Sequence, residues 1–329
     1  MRLGAFVGLA VLTISACALP GSRPYQFSEE YQNGERYQGL RLRGSLLLSL
    51  QTANGQAVDE LSGLAWDAQQ AVLYACSDEG WLFQLRPQFD EAHTLSGVEL
   101  LAAYPLQDAQ GRPLSGAAAD SEGMALQHTA DGLELWLSFE RQPRIVRYRP
   151  DGRWLGTRPL PAALTKASHY HSKNKMLEAL AWHPVQGLIT VPEWPLPADP
   201  ADKITLYALN GARWTVPRSS DPNSAVVGLE SLADGSLLML ERAYSSPWSP
   251  LRISLRRVTL NDSCQDRPVD CPVSQVAVFD SAQDWRVDNF EGLAHHQGRF
   301  LFMVSDNNGS PWQNTLLNYF ELQEEEYRF

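Results

Sequence analysis

The chain has 329 residues, 44% of them hydrophobic, with 10 Trp and a formal net charge of −11. That is ample apolar material for one large core, and no Gly/Ser- or Pro-rich run divides it. The acidic balance disfavours nucleic acid and anionic membrane surfaces as partners, and an anionic small molecule would need a cation or a local basic patch.

Residues 1–17 read as a targeting segment. Arg2 is its positive end, and Leu3 to Thr13 is apolar but too short to span a bilayer. Ile14-Ser15-Ala16-Cys17 resembles the lipobox of bacterial lipoproteins, whose Cys is acylated after cleavage. A plain signal peptide cut near Ala16 or Ala18 is the alternative. The resemblance implies a mature chain anchored by lipid at Cys17, and Ala18 beside it fits the outer membrane, facing the periplasm. Residues 18–39, polar and rich in Tyr, read as a tether, and residues 40–329 as one folded domain. Leu40 to Leu50 is a strand ahead of the repeats.

Five times the chain then spells an acid (Ser62 in the first repeat), a small residue and an apolar strand, followed by a second apolar strand that ends on polar residues. Glu60 to Trp66 precedes Val72 to Glu79, and Ser121 to Leu126 precedes Leu135 to Arg141. Leu177 to Trp182 precedes Leu188 to Glu193, and Leu229 to Ala233 precedes Leu237 to Arg242. Phe290 to His295 precedes Phe300 to Asp306. Aligned on Gly63, Gly123, Ala179, Ser231 and Gly292, the spacings are 60, 56, 52 and 61. Strand repeats of this period predict an all-β fold, a β-propeller with one repeat per blade. Four repeats carry two further strands each. The last lacks its fourth, and Leu40 to Leu50 is left over, so the N-terminal strand is expected to close a ring of five four-stranded blades. A sixth, irregular blade stays open as an alternative. Cys264 and Cys271 bracket a polar loop and are expected to pair, whereas Cys76 reads as a core thiol.

First strands line the channel of a propeller, so the residues preceding the anchors are expected to converge: Ser62, Glu122, Glu178, Glu230 and Glu291. Like charges about 4 Å apart repel by roughly 4 kcal/mol at an effective dielectric near 20. Such a ring needs protons or a cation, and hard oxygen ligands suit Ca²⁺. The alternative is that each Glu caps backbone N–H groups of its own blade. Around the ring, the second-strand ends offer Glu140, Arg141, Glu193, Glu241, Arg242 and Asp306, as interblade ion pairs or as groups that act on and hold a substrate. The basic stretch Lys166 to Lys175 contributes His169, His171, Lys173 and Lys175 at the expected mouth, suited to a phosphate or carboxylate.

The Glu-Gly-Leu-Ala units, with Asn289-Phe290-Glu291-Gly292-Leu293-Ala294 followed by Phe302 to Asn308, resemble the phytase-like propellers, often called esterase-like proteins of the phytase family. The resemblance spans roughly Leu40 to Leu322. The ring residues are also similar to those of calcium-dependent apyrases. The expectation is a monomer acting on a small phosphorylated substrate, with calcium held by Ser62, Glu122, Glu178, Glu230 and Glu291. Ser62 replaces the acid of the pattern, and Ala179 and Ser231 replace its glycine. The alternatives are a ligand- or partner-binding lipoprotein with a structural ion, and a metal-dependent esterase or lactonase.

The resemblances thus imply a secreted or periplasmic protein, joined to the membrane only through its lipid, whose chemistry would sit at the channel mouth.

Overall fold

The computed structural model of the chain describes residues 21–246 and 248–323. The expected leader and Cys17 lie outside the described residues. Strands β1 (Gly21–Pro24), β2 (Arg36–Tyr37) and β3 (Leu40–Ser49) come first. Four four-stranded antiparallel sheets follow. They are β4 to β7 (Leu61–Asp67, Val72–Ser77, Trp81–Phe89, Leu95–Pro105) and β8 to β11 (Ser121–Thr129, Gly132–Phe139, Arg144–Tyr148, Trp154–Arg158). Then come β12 to β15 (Leu177–His183, Gly187–Pro192, Lys203–Ala208, Arg213–Pro217) and β16 to β19 (Ser224–Ser231, Ser236–Ala243, Arg252–Thr259, Val273–Asp280). The chain ends on β20 (Asn289–His295), β21 (Phe300–Asp306) and β22 (Leu316–Leu322).

The fifth sheet has the order β1-β3-β22-β21-β20, so β3 supplies the missing fourth strand. Its register sets Leu47 opposite Leu316 and Leu40 opposite Leu322. The molecule is a five-bladed propeller. Each inner strand packs on the next, and β20 returns to β4 to complete the ring. Second strands such as β5 and β21 are apolar until their last one or two residues because they are buried on both faces. The core lies in layers between neighbouring blades. Phe302 and Val304 of the fifth, for example, pack with Leu64, Ala75 and Phe83 of the first.

The tether expected at residues 18–39 is corrected for its described part. β1 pairs with β3, and Phe27 is buried against Phe279, Trp285, Phe290 and Phe320, sealing the seam between blades four and five. Aromatic side chains in a polar stretch had partners that existed only once the ring closed. Cys264 and Cys271 form a disulfide in the loop between β18 and β19, and Cys76 is a buried free thiol.

Candidate functional site at the channel mouth

Every inner strand carries a register break near its mouth end. The breaks fall between Leu61 and Gly63, Ser121 and Met124, Leu177 and Ala179, Val226 and Gly228, and Phe290 and Gly292. A bulge re-aims the residue it contains, and the bulges contain Ser62, Glu122, Glu178, Val227 and Glu291. The small residue that follows has a separate cause. A Cβ on Gly123 would lie 2.5 Å from the Leu180 nitrogen, and one on Gly228 2.6 Å from the Glu291 carbonyl oxygen. Neighbouring inner strands approach too closely for a side chain at either glycine.

Blade four therefore departs from the expected ring. Its anchor is Gly228, not Ser231, and its ring residue is the buried Val227. Glu230 lies three residues further along β16, opposite Leu238. Its carboxylate accepts from the backbone N–H of Ser231 at 2.7 Å, the own-blade capping given as the alternative, and also from that of His295 in blade five at 3.0 Å. Gly228-Leu229, matching Gly292-Leu293, was the signal that would have found this register. The matching acid in Leu229-Glu230 concealed it.

The same registers define a second ring. Ser77, Phe139, Pro192, Glu241 and Ser305 stand opposite the residues that precede the bulges. The next residues in the chain are Asp78, Glu140, Glu193, Arg242 and Asp306, so blade four places a cation where the others place acids. Glu241 falls outside this ring. It is buried within blade four, 3.1 Å from Arg256, which also donates to the Pro217 carbonyl at 2.9 Å. Arg141 turns back onto Asp120 of its own blade at 3.0 Å.

Blades one to three form an acidic arc. Carboxylate oxygens of Asp120, Glu122 and Glu140 lie within 4.8 Å of one another, and all three residues are buried. Burial, then the charges of Glu291 and Glu140, holds the Glu122 carboxyl well above its usual range. Burial and then Glu122 do the same to Glu178. Burial raises Glu140 to about 8. Asp78 is pushed up to about 9 by burial, then by Asp306 and Glu60. Oε2 of Glu178 and Oδ1 of Asp78 are buried without a hydrogen-bond partner. Asp78 is a second-strand end like Glu140, whereas Asp120, just ahead of β8, carries no signal in the repeat.

On the blade-four side the carboxylates are matched. Arg242 reaches Glu291 at 2.5 Å, Glu193 at 3.5 Å and the side-chain oxygen of Asn289. Asn289 donates to Glu291 at 2.9 Å and Asp306 at 3.2 Å. Burial and the Glu291 charge still raise Asp306 to about 7. Lys175 lies 3.2 Å from Glu193 and 4.5 Å from the centre of the Trp194 ring. Lys175, Glu193, Trp194, Arg242 and Asn289 line a cavity of about 810 Å³ that also reaches Tyr244, Asp288 and Gln313. The rest of the basic stretch is dispersed. Lys173 is exposed, His169 is tied to the Ala163 carbonyl at 2.8 Å, and His171 packs edge-on against Trp194.

The donor set of the arc fits a hard divalent cation: oxygen ligands only, in excess of local positive charge, with an orphaned buried oxygen on Glu178. The set expected from the repeats does not assemble as one, because Glu230 is elsewhere and Glu291 is held by Arg242.

A family model described as "Phytase-like: Esterase-like activity of phytase" matches residues 56–309. No curated protein matches. Among solved structures, the "Myceliophteria_thermophila Cps50 (Swd1) beta-propeller domain" is similar at a TM-score of 0.37 and 11% identity, over 86% of this chain and 92% of that one. The blade assignment above rests on this chain's own sheets.

Proposed function

We propose that this chain, which belongs to the phytase-like family, is a calcium-dependent phosphoester hydrolase working at the channel mouth. The observation that carries the reading is the buried trio Asp120, Glu122 and Glu140 beside the unpartnered oxygen of Glu178, set against Arg242 and Lys175 across the mouth. These four acids would hold the ion. When bound, it would polarise a phosphoryl oxygen and acidify water. Asp78 and Asp306 stand beside the acids as groups that can hold or release a proton near neutral pH. Arg242 and Lys175 would orient the anion, exchanging part of their contact with Glu193 for it.

One observation favours the rival reading, a binding protein with a structural ion: both cations are already neutralised by Glu193 and Glu291. A phosphatase and esterase panel on purified protein, with and without chelator, decides. Hydrolysis of phosphoesters that chelator abolishes is the expected result. No turnover of phytate, nucleotides, phosphodiesters or aryl esters would sink the hydrolase. Chelator-sensitive turnover of aryl esters alone would assign an esterase or lactonase. Anchoring at Cys17 belongs to the same proposal, on the strength of Ile14-Ser15-Ala16-Cys17. Cys17→Ser is expected to release the protein from the membrane fraction, and unchanged fractionation would exclude the lipid anchor.

A further inference from the structure

Two tryptophans are out of place for a water-facing surface. Trp248 is 95% exposed and Trp312 91%, and no other large hydrophobic among the described residues exceeds 79%. Both sit in loops that leave second strands, from blades four and five, and so on the mouth face. Both occur in the same tripeptide, Ser246-Pro247-Trp248 and Ser310-Pro311-Trp312. In each loop the Ser hydroxyl oxygen accepts from the backbone N–H of the Trp at 3.3 Å, so the two tryptophans are held by the same local contact. Tyr244, half exposed, accompanies Trp248 and lines the cavity at the mouth.

The entry point of the chain lies near them. The β1 register sets Gly21 opposite Ser49, and the neighbouring Leu48 N–H donates to the carbonyl of Thr315, three residues from Trp312. The chain thus enters the domain beside the root of the Trp312 loop. Cys17 is four residues before Gly21, and four residues reach at most about 14 Å. If Cys17 carries lipid, the bilayer is the apolar surface within reach of that loop. Indole rings favour the boundary between headgroups and acyl chains, where the ring is dry and its N–H is wet.

We propose that the channel-mouth face lies against a lipid bilayer, with Trp248 and Trp312 seated at its interface. Lipid anchorage then does more than tether the domain: it orients the mouth toward the headgroups. The attraction is apolar, as an acidic chain requires, so it persists at high salt and on neutral lipid.

The test uses the whole protein with phosphatidylcholine vesicles whose acyl chains carry bromine close to the headgroup, a quencher of indole emission. Two of the 10 Trp should be quenched, a loss of about a fifth of the signal. The double variant Trp248→Phe/Trp312→Phe should lose most of that quenching, and Trp154→Phe, on the second blade's outer strand, should keep it. An unquenched wild type, or equal quenching in wild type and double variant, would overturn the proposal. So would a dimer in vesicle-free buffer that the double variant dissolves, since the tryptophans would then belong to a second copy. Chelator should leave the quenching unchanged, which keeps this result separate from the fate of the hydrolase reading.

Discussion

The acidic arc and the blade-four side solve one electrostatic problem in two ways. Both gather buried carboxylates around the channel. On the blade-four side the fold supplies its own cation, Arg242, and an amide, Asn289, so Glu193 and Glu291 have partners. On the arc, Arg141 and Arg144 act on Asp120 from the rim, and Glu122, Glu140 and Glu178 face one another with their protonation raised. An invariant ring would have been uniformly in need of an ion. Val227 and Arg242 break it, and move the expected ion off the axis toward blades one to three.

The sharpest way to break this comparison is to remove the built-in cation. Arg242→Met strands Glu291 and leaves Glu193 with Lys175 alone, and it should cost about 3–5 kcal/mol, the usual result of deleting one partner of a buried pair. Glu291→Gln on top of it should recover part of the loss in a denaturant melt. If Arg242→Met melts like wild type, the ion pair is not what stabilises that side.

Next comes the arc. With an ion bound, Glu122→Gln weakens its site, so calcium should protect the variant less than wild type. At a hundredfold excess over the dissociation constant a bound ligand contributes about 2.7 kcal/mol, a shift of several degrees in melting temperature. Chelator should shrink the difference between the two proteins or reverse its sign, because relieving repulsion then stabilises the variant. Wild-type melting curves that are identical in calcium and chelator would falsify the metal assignment.

The arc also fixes a sign for pH. Asp78, Glu140 and Asp306 have folded values of about 9, 8 and 7 against ordinary values of 3.8, 4.5 and 3.8. Between the ordinary and folded values the folded state binds more protons than the unfolded one, so stability falls as pH rises. In chelator, the melting temperature should decline from about pH 4 to about pH 9. Calcium should flatten that decline. A melting temperature that climbs through this window would contradict the burial of these acids.

The smallest effect tests the residue that left the ring. Glu230→Gln removes an acceptor from one of two backbone N–H groups, a change on the order of 1 kcal/mol. The difference from wild type should be the same in calcium and in chelator. A calcium-dependent difference would return Glu230 to the ion.

Much of the architecture was legible because it is local. Hairpin polarity recurs along the chain, and a missing strand at one end matched a spare strand at the other, so five blades and their closure through Leu40–Ser49 followed from the order of residues. Glu122 and Glu178 were legible for the same reason, each standing before a small anchor. What failed was the pairing of distant residues. The anchor of blade four is set by how closely Gly228 approaches the Glu291 carbonyl, a constraint between strands that no spacing within one repeat records. Arg242 reads as an ordinary strand-end charge until blades three and five bring Glu193 and Glu291 to it. Phe27 reads as part of a tether until ring closure builds the aromatic seam that buries it. The sequence by itself determined the repeat, the strand order and which side chains are acidic. Tertiary structure decided which of those acids meet, because charge compensation depends on ångström-scale distances between blades.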